Sequence, residues 1–512
     1  MKRIFACGAL CALCLSAAFA EQYRIAEVHY DIQGRTKEGA LERTVDVDTE
    51  TLFPSRADFD AYLAFLSQVL TDIRTLERFT LTERLGEADE CGVIPVELEI
   101  TAADTYNYIT VPYLKYNSNS GFELKLKTKD FNFLGLLQEM NFDVVYQNKK
   151  DVGAKTDDGL LSGSSKIGLA FNYNLPFLLS GFEAQWLNSF ALSYTFGEGK
   201  PKFDLTSGLM LTFPLMRDRL SAQLIVKQSV TQDFDYEYDV ATDEKIPYGD
   251  ELHYTEYASF AVPVEIARLK RQTAVVFAPE AHFSYAWNPR GVSHPDLLGP
   301  VVGPGYALSA RQVNWERNYR TGYSVRLAER LDYNAQKGGV YHALSGEAAR
   351  YAAFGRLAFA ARGYAFVGVP LRGDKWSSAS VGGLLRGVRD AQKGAEDVEA
   401  ALVLNADLPV KLFQTDWRSL RLPGFSRAFD FELQASPFFD AAFVYDKELS
   451  VRFSPKNGWY AGGLELLVFP SKWRSVTGRA SFGVDLGRFF VSREWRDDAS
   501  PYELSIGVGM HY

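Results

Sequence analysis

Asp440 lies inside the run Phe438-Phe439-Asp440-Ala441-Ala442-Phe443-Val444-Tyr445. Phe439, Ala441, Phe443 and Tyr445 share one parity, so a strand here sends Phe438 and Asp440 to the opposite face. If the Phe439 face meets lipid, Asp440 meets the lumen of a barrel, where a carboxylate is tolerated but calls for a partner. Arg386 supplies a candidate. It stands in Gly382-Gly383-Leu384-Leu385-Arg386-Gly387-Val388-Arg389, within a charged, glycine-rich connection over residues 371–398. Its planar guanidinium fits a carboxylate bidentately. The plain alternative is a solvated loop arginine and an aspartate that merely wets the lumen, and spacing alone leaves both open. Either way this is holding chemistry, not bond-breaking chemistry. The chain has no Gly-x-Ser-x-Gly elbow. His29, His253, His282, His294, His342 and His511 are scattered without ligand spacing, so each is expected at the surface or in a girdle. No enzymatic activity, metal or cofactor is expected.

The elements that must position this pair are strands. Tyr502, Leu504, Ile506, Val508, Met510 and Tyr512 alternate with Glu503, Ser505, Gly507, Gly509 and His511 up to the end of the sequence. That is the period of a strand with one lipid face and one wet face. Gly507 and Gly509 on the wet face either let the strand bend or fit a crowded lumen. Similar alternation recurs from about residue 106, at 122–127, 140–147, 167–173, 190–196, 203–213, 260–266 and 277–287. Each run is about ten residues long, which is enough for a tilted strand to cross a bilayer. Some 400 residues at roughly 24 per strand and connection predict a transmembrane antiparallel β-barrel of about 16 strands. Residues 288–318 and 371–398 read as two long connections, one of which folds back into the lumen. Aromatics at 14% with 36 Phe and 27 Tyr suit such a wall.

The N-terminal part reads differently. Lys2 and Arg3 precede an apolar stretch over residues 4–19, and Ala18-Phe19-Ala20 has the form of a signal-peptidase site. Residues 1–20 are therefore expected to be a signal peptide. Cys7, Cys11 and Cys14 would leave with it, and Cys91 would have no partner for an intrachain disulfide. Net charge is −9, which argues against a nucleic-acid partner. Residues 21–104 predict a small α+β domain. Ala26, Val28, Tyr30 and Ile32 alternate as a strand, followed by a short helix over 37–45. A helix capped by Pro54-Ser55-x-x-Asp58 then carries Phe59, Leu63, Leu66, Leu70 and Ile73 on one stripe. Strands over 79–85 and 94–100 complete it, and the barrel would occupy residues 105–512.

The strand-helix-helix-strand-strand order resembles a POTRA domain. The Leu385-Arg386-Gly387 tip of a long late loop, the Phe438-x-Asp440 strand and the aromatic C-terminus together resemble the BamA/TamA-type outer-membrane assembly superfamily, also called bacterial surface antigens. The resemblance spans essentially the whole mature chain, and its specific motifs lie between residues 378 and 512. It implies a loop arginine, Arg386, folded into the barrel and paired with the strand acid Asp440. Two positions depart from the pattern: Val388 stands where an aromatic is usual, and Ala442 where glycine is usual. The resemblance further implies an assembly, insertion or translocation factor in the bacterial outer membrane, with its N-terminal domain in the periplasm. Its partners would be the lipid bilayer, unfolded outer-membrane protein clients, and periplasmic or accessory assembly proteins. The strand over 502–512 would meet the first barrel strand, at residues 108–113 or 122–128, in a seam that client strands can extend. Tyr512 would also serve as a C-terminal recognition aromatic. The alternative is a secretion pore or diffusion channel with a stable seam.

Overall fold

A computed structural model describes residues 21–509 apart from 90–91, 118–120, 149–164, 197–200, 217–219, 233–235, 240–243, 248–251, 271–272, 288–298, 374–378, 389–397, 418–429, 447–452 and 491–500. The signal-peptide expectation, Cys91, His294, His511 and Tyr512 lie outside the described residues. The chain divides into two compact units. One runs to Tyr106 and also takes in Leu134–Leu137 and Trp473–Ser475, and the other holds the remainder.

The first unit is a three-stranded sheet backed by two helices. β1 (Gln22–Gln33) runs parallel to the central β3 (Val93–Asp104), and β2 (Leu76–Leu85) pairs antiparallel on its other side. Between β1 and β2 come α1 (Glu38–Val45) and α2 (Arg56–Asp72). Ser55 caps α2 by accepting from the Asp58 N–H at 3.2 Å, as the sequence predicts. The helix buries Phe59, Tyr62, Leu66 and Leu70 against Val96, Leu98 and Ile100 of β3. Ala26 does not lie on the buried face expected of it. A bulge between Ile25 and Glu27 shifts the β1 register, so Tyr23 and Ile25 are buried and Ala26 is exposed. A bulge inserts one residue and flips the faces on either side, which uniform alternation cannot reveal. Burial pushes the Tyr30 phenol up to about 12.

The second unit is a closed antiparallel barrel. It starts with Tyr108–Asn117 and ends with Tyr502–Val508. Twenty strand segments are recorded, two pairs of which are single strands interrupted at a proline. Val262 and Pro263 separate Leu252–Ala261 from Val264–Lys270, and Leu408 and Pro409 separate Ala400–Asp407 from Val410–Gln414. Proline has no N–H for the ladder, so it breaks pairing locally. Counting each interrupted strand once gives eighteen passes among the described residues, two more than the sequence estimate of about 16. The run expected over 260–266 is one of the broken ones.

Val301–Glu316 is a sixteen-residue strand, not part of a long connection over 288–318. Its Gly303, Pro304 and Gly305 look like loop composition, yet they sit in the ladder opposite His282, Ala281 and Glu280. A Cβ at Gly303 would lie 1.7 Å from the Leu331 carbonyl oxygen, so glycine is needed for close strand approach. Wall height is also uneven. Four successive strands from Val301–Glu316 to Leu357–Arg372 have sixteen residues each, longer than the ten expected. At roughly 3.3 Å per residue and about 40° of tilt, sixteen residues span about 40 Å and ten about 25 Å.

Large apolar residues face outward along alternating positions. Val325, Leu404, Phe439, Leu464, Phe482 and Leu504 are each about half exposed, the pattern of a lipid-facing band. His282 departs from its expected surface or girdle position. It is buried, and its Nε2 lies 2.6 Å from Asp332 Oδ1.

Candidate functional site

The loop that starts after Arg372 turns into the barrel. Val381, Leu385, Val388 and Val398 of this loop are buried against Ala401, Val403, Ala442, Val444 and Trp459 of the wall. Apolar loop residues therefore seat the tip on luminal side chains. Val388 and Ala442, the two departures from the family pattern, pack in this one cluster. The seating brings Arg386 onto Asp440, and both are buried.

Arg386 Nε donates to Asp440 Oδ2 at 2.8 Å, and Nη2 donates to Oδ1 at 2.7 Å. This is the bidentate fork that Arg chemistry favours. The Arg386 backbone N–H adds a third bond to Oδ2 at 3.0 Å. Nη1 turns the other way, donating to Asp407 Oδ1 at 2.7 Å and approaching Glu465 Oε2 at 3.5 Å. The guanidinium also lies over the Phe438 ring, 3.9 Å from its centroid, which is cation–π distance. Asn405 ties loop to wall, its Nδ2 donating to Asp440 Oδ1 and to the Leu384 carbonyl, both at 2.9 Å. One guanidinium thus faces three carboxylates. A buried ion pair is costly to form and costlier to break from one side, so the arrangement acts as a latch for the loop.

The wall is shaped to receive it. Asp407 pairs with Phe438, Phe438 with Gly463, and Gly463 with Gly483 along one row of the sheet. A Cβ at Gly463 would lie 2.6 Å from the Phe438 ring, and one at Gly483 would lie 2.7 Å from the Gly387 Cα. Gly387 itself has φ +73°, a left-handed backbone that side chains rarely adopt. Two wall glycines thus make a hollow that takes the Phe438 ring and the loop glycine together. Sequence reasoning named Arg386, Gly387, Phe438 and Asp440, and the structure brings them together. It missed Asp407, Glu465, Asn405, Gly463 and Gly483. Asn405 and Asp407 carried a signal, since they alternate with outward Leu404 and Ala406.

The second group of predicted residues lies at the closure. Tyr502, Leu504 and Ile506 face outward and Glu503 and Ser505 inward, as the alternation predicts. The described strand runs to Val508, and residues 510–512 lie outside the described residues. Gly509 has φ +96° and open space where a Cβ would be. Its backbone N–H still donates to the Thr477 carbonyl at 2.8 Å, next to the Gly478–Val508 pair. The closing ladder is short. Among the described residues, Tyr502–Val508 and Tyr108–Asn117 share two register pairs, Leu504 with Tyr116 and Ser505 with Lys115. Tyr108–Asn117 meets its other neighbour, Gly121–Asp130, in ten pairs.

The fold and site define a closed antiparallel β-barrel with a latched luminal loop and a closure that is sparsely paired among the described residues. Across 95% of its length the chain is similar to a BamA from Haemophilus ducreyi lacking POTRA domains 1–3, at 11% identity and a TM-score of 0.40, covering 85% of that chain. It is also similar to CdiB from Acinetobacter baumannii (10% identity, TM-score 0.46, 95% of this chain and 74% of that one). CdiB from Escherichia coli gives 11% identity and a TM-score of 0.47, with 95% and 76% covered. No protein-family model matches the sequence, and no curated protein does.

Proposed function

We propose that this protein is a non-enzymatic outer-membrane assembly or translocation factor of the BamA/TamA type, offering its barrel seam to unfolded client strands. The closure, with two register pairs among the described residues, carries this reading. A strand edge left unpaired in hydrocarbon is costly, so a barrel that closes so sparsely is primed to pair with something else. Continuing the observed register would set Pro112 opposite Val508, and proline has no N–H to give. A client strand added there would extend the ladder by β-augmentation. The latched loop supports the reading, since Arg386 anchors the wall formed by the strands that lead into the seam. The sheet order β1-β3-β2 supports a POTRA-like N-terminal domain in the periplasm, whose edge strand would receive clients first.

A disulfide across the seam tests this. Leu504→Cys with Tyr116→Cys places two cysteines at directly paired positions. In cells depleted of the wild-type protein, the oxidised double variant is expected to lower the amounts of other outer-membrane barrels, and reductant to restore them. Unchanged barrels with loss of one secreted protein or one solute's uptake would instead favour a secretion pore or diffusion channel.

A further inference from the structure

One stretch of the outward wall is a furrow. On Gly339–Phe354 and Leu357–Arg372 the lipid-facing positions Gly346, Ala348, Ala361, Gly363 and Ala365 carry a methyl or nothing. The flanking strands raise its sides, with Val325 and Leu327 on one bank and Leu402 and Leu404 on the other. The cavity outside this wall measures about 670 Å³. Packing does not force the hollow. A Cβ at Gly363 would meet Leu404 Cδ2 at 3.7 Å, and one at Gly346 would meet Leu327 Cδ1 at 3.7 Å. Both are ordinary contacts, unlike those at Gly463 and Gly483.

The furrow has a charged foot. Arg350 lies on the same outward parity, directly paired with Tyr323 on one side and Ala361 on the other. It is exposed, and among the described residues no carboxylate or carbonyl pairs with it. Arg350 is four residues from Phe354, where the chain turns back at Gly355. That places it near the short-turn end of the wall, from where a long cationic side chain can extend to the interface. From there the hollow rises about four residues, roughly 13 Å, toward the bilayer centre.

We propose that this furrow is a binding site for one phospholipid of the short-turn leaflet. Its phosphate accepts from the Arg350 guanidinium and the Tyr323 hydroxyl, and an acyl chain lies over Ala348, Gly346 and Gly363. The guanidinium fork matches phosphate geometry, and the furrow matches a chain rather than a flat protein face. The proposal rests on the reading that the barrel spans a membrane.

Native mass spectrometry of the delipidated full-length protein tests it, with phosphatidylglycerol and uncharged diacylglycerol as probes. The wild type is expected to keep one phosphatidylglycerol in preference to diacylglycerol. Arg350→Gln should lower that preference about tenfold or more, the scale of one charge-assisted hydrogen-bond pair. Ala348→Leu, which fills the furrow, should weaken both lipids alike. Wild-type retention in both variants, displacement by inorganic phosphate alone, or a protein dimer in place of a lipid adduct would overturn it. Heat-modifiable gel migration of every sample reports barrel folding separately, so failure of the barrel reading is distinguishable. Should Ala348→Leu not fold, Gly363→Ala narrows the same furrow by one methyl.

Discussion

Replacing Arg386 by alanine should release the luminal loop. The substitution removes three side-chain hydrogen bonds to Asp440 and Asp407, at 2.7–2.8 Å, and the stack on Phe438. It also leaves Asp440 buried beside Asp407 without a guanidinium, and Glu465 with Arg479 alone, at 3.7 Å. Breaking one side of a buried ion pair costs about 3–5 kcal/mol, or roughly two to four orders of magnitude in the docking equilibrium. Trypsin reads this directly, because Lys375, Arg389 and Lys393 lie in the loop sequence. Loop cleavage should accelerate strongly in Arg386→Ala while the barrel, followed by heat-modifiable migration, stays intact. Asp440→Ala should relieve part of the defect when combined with Arg386→Ala, because it deletes the carboxylate left unpaired. The double variant should thus be less destabilised than the sum of the singles. Wild-type protease resistance in Arg386→Ala, or strict additivity in the double variant, would refute the latch.

Gly483→Ala should loosen the same loop from the opposite side, since its Cβ would lie 2.7 Å from the Gly387 Cα; faster tryptic cleavage checks it. Ser55→Ala should cost residues 21–106 about 1 kcal/mol by removing the α2 cap, measured by urea unfolding of that fragment. The same fragment should lose stability at alkaline pH. The Tyr30 phenol is raised to about 12 when folded, so its contribution is full below the unfolded value near 10 and is lost as pH rises toward 12. Tyr30→Phe should flatten that part of the pH profile, and an unchanged profile would show that Tyr30 is not its source.

What was legible in the sequence was whatever repeats with period two. The parities of 438–445 and 502–506 put Asp440 inside and Leu504 outside, because a barrel wall separates lipid from water residue by residue. Composition misled at Gly303, Pro304 and Gly305, where close strand approach, not a loop, selects small residues. The bulge after Ile25 was hidden because one inserted residue leaves alternation intact on both sides. Asp407 and Glu465 join Arg386 from separate strands, and His282 meets Asp332 fifty positions away. Such encounters depend on which strands become neighbours, which local pattern does not encode.

The uneven wall has an elastic consequence. Opposite the closure the strands reach about 40 Å, whereas the described closing segment Tyr502–Val508, with seven residues, covers about 18 Å at the same rise and tilt, against a typical band of about 25 Å. Lipid beside that strand must compress or tilt to keep its chains dry, at a fraction of a kcal/mol per Å of mismatch. On the reading that this barrel spans a membrane, it dimples the bilayer beside its described closing strand. Membranes with longer acyl chains would stiffen that dimple, and those with shorter ones would relax it.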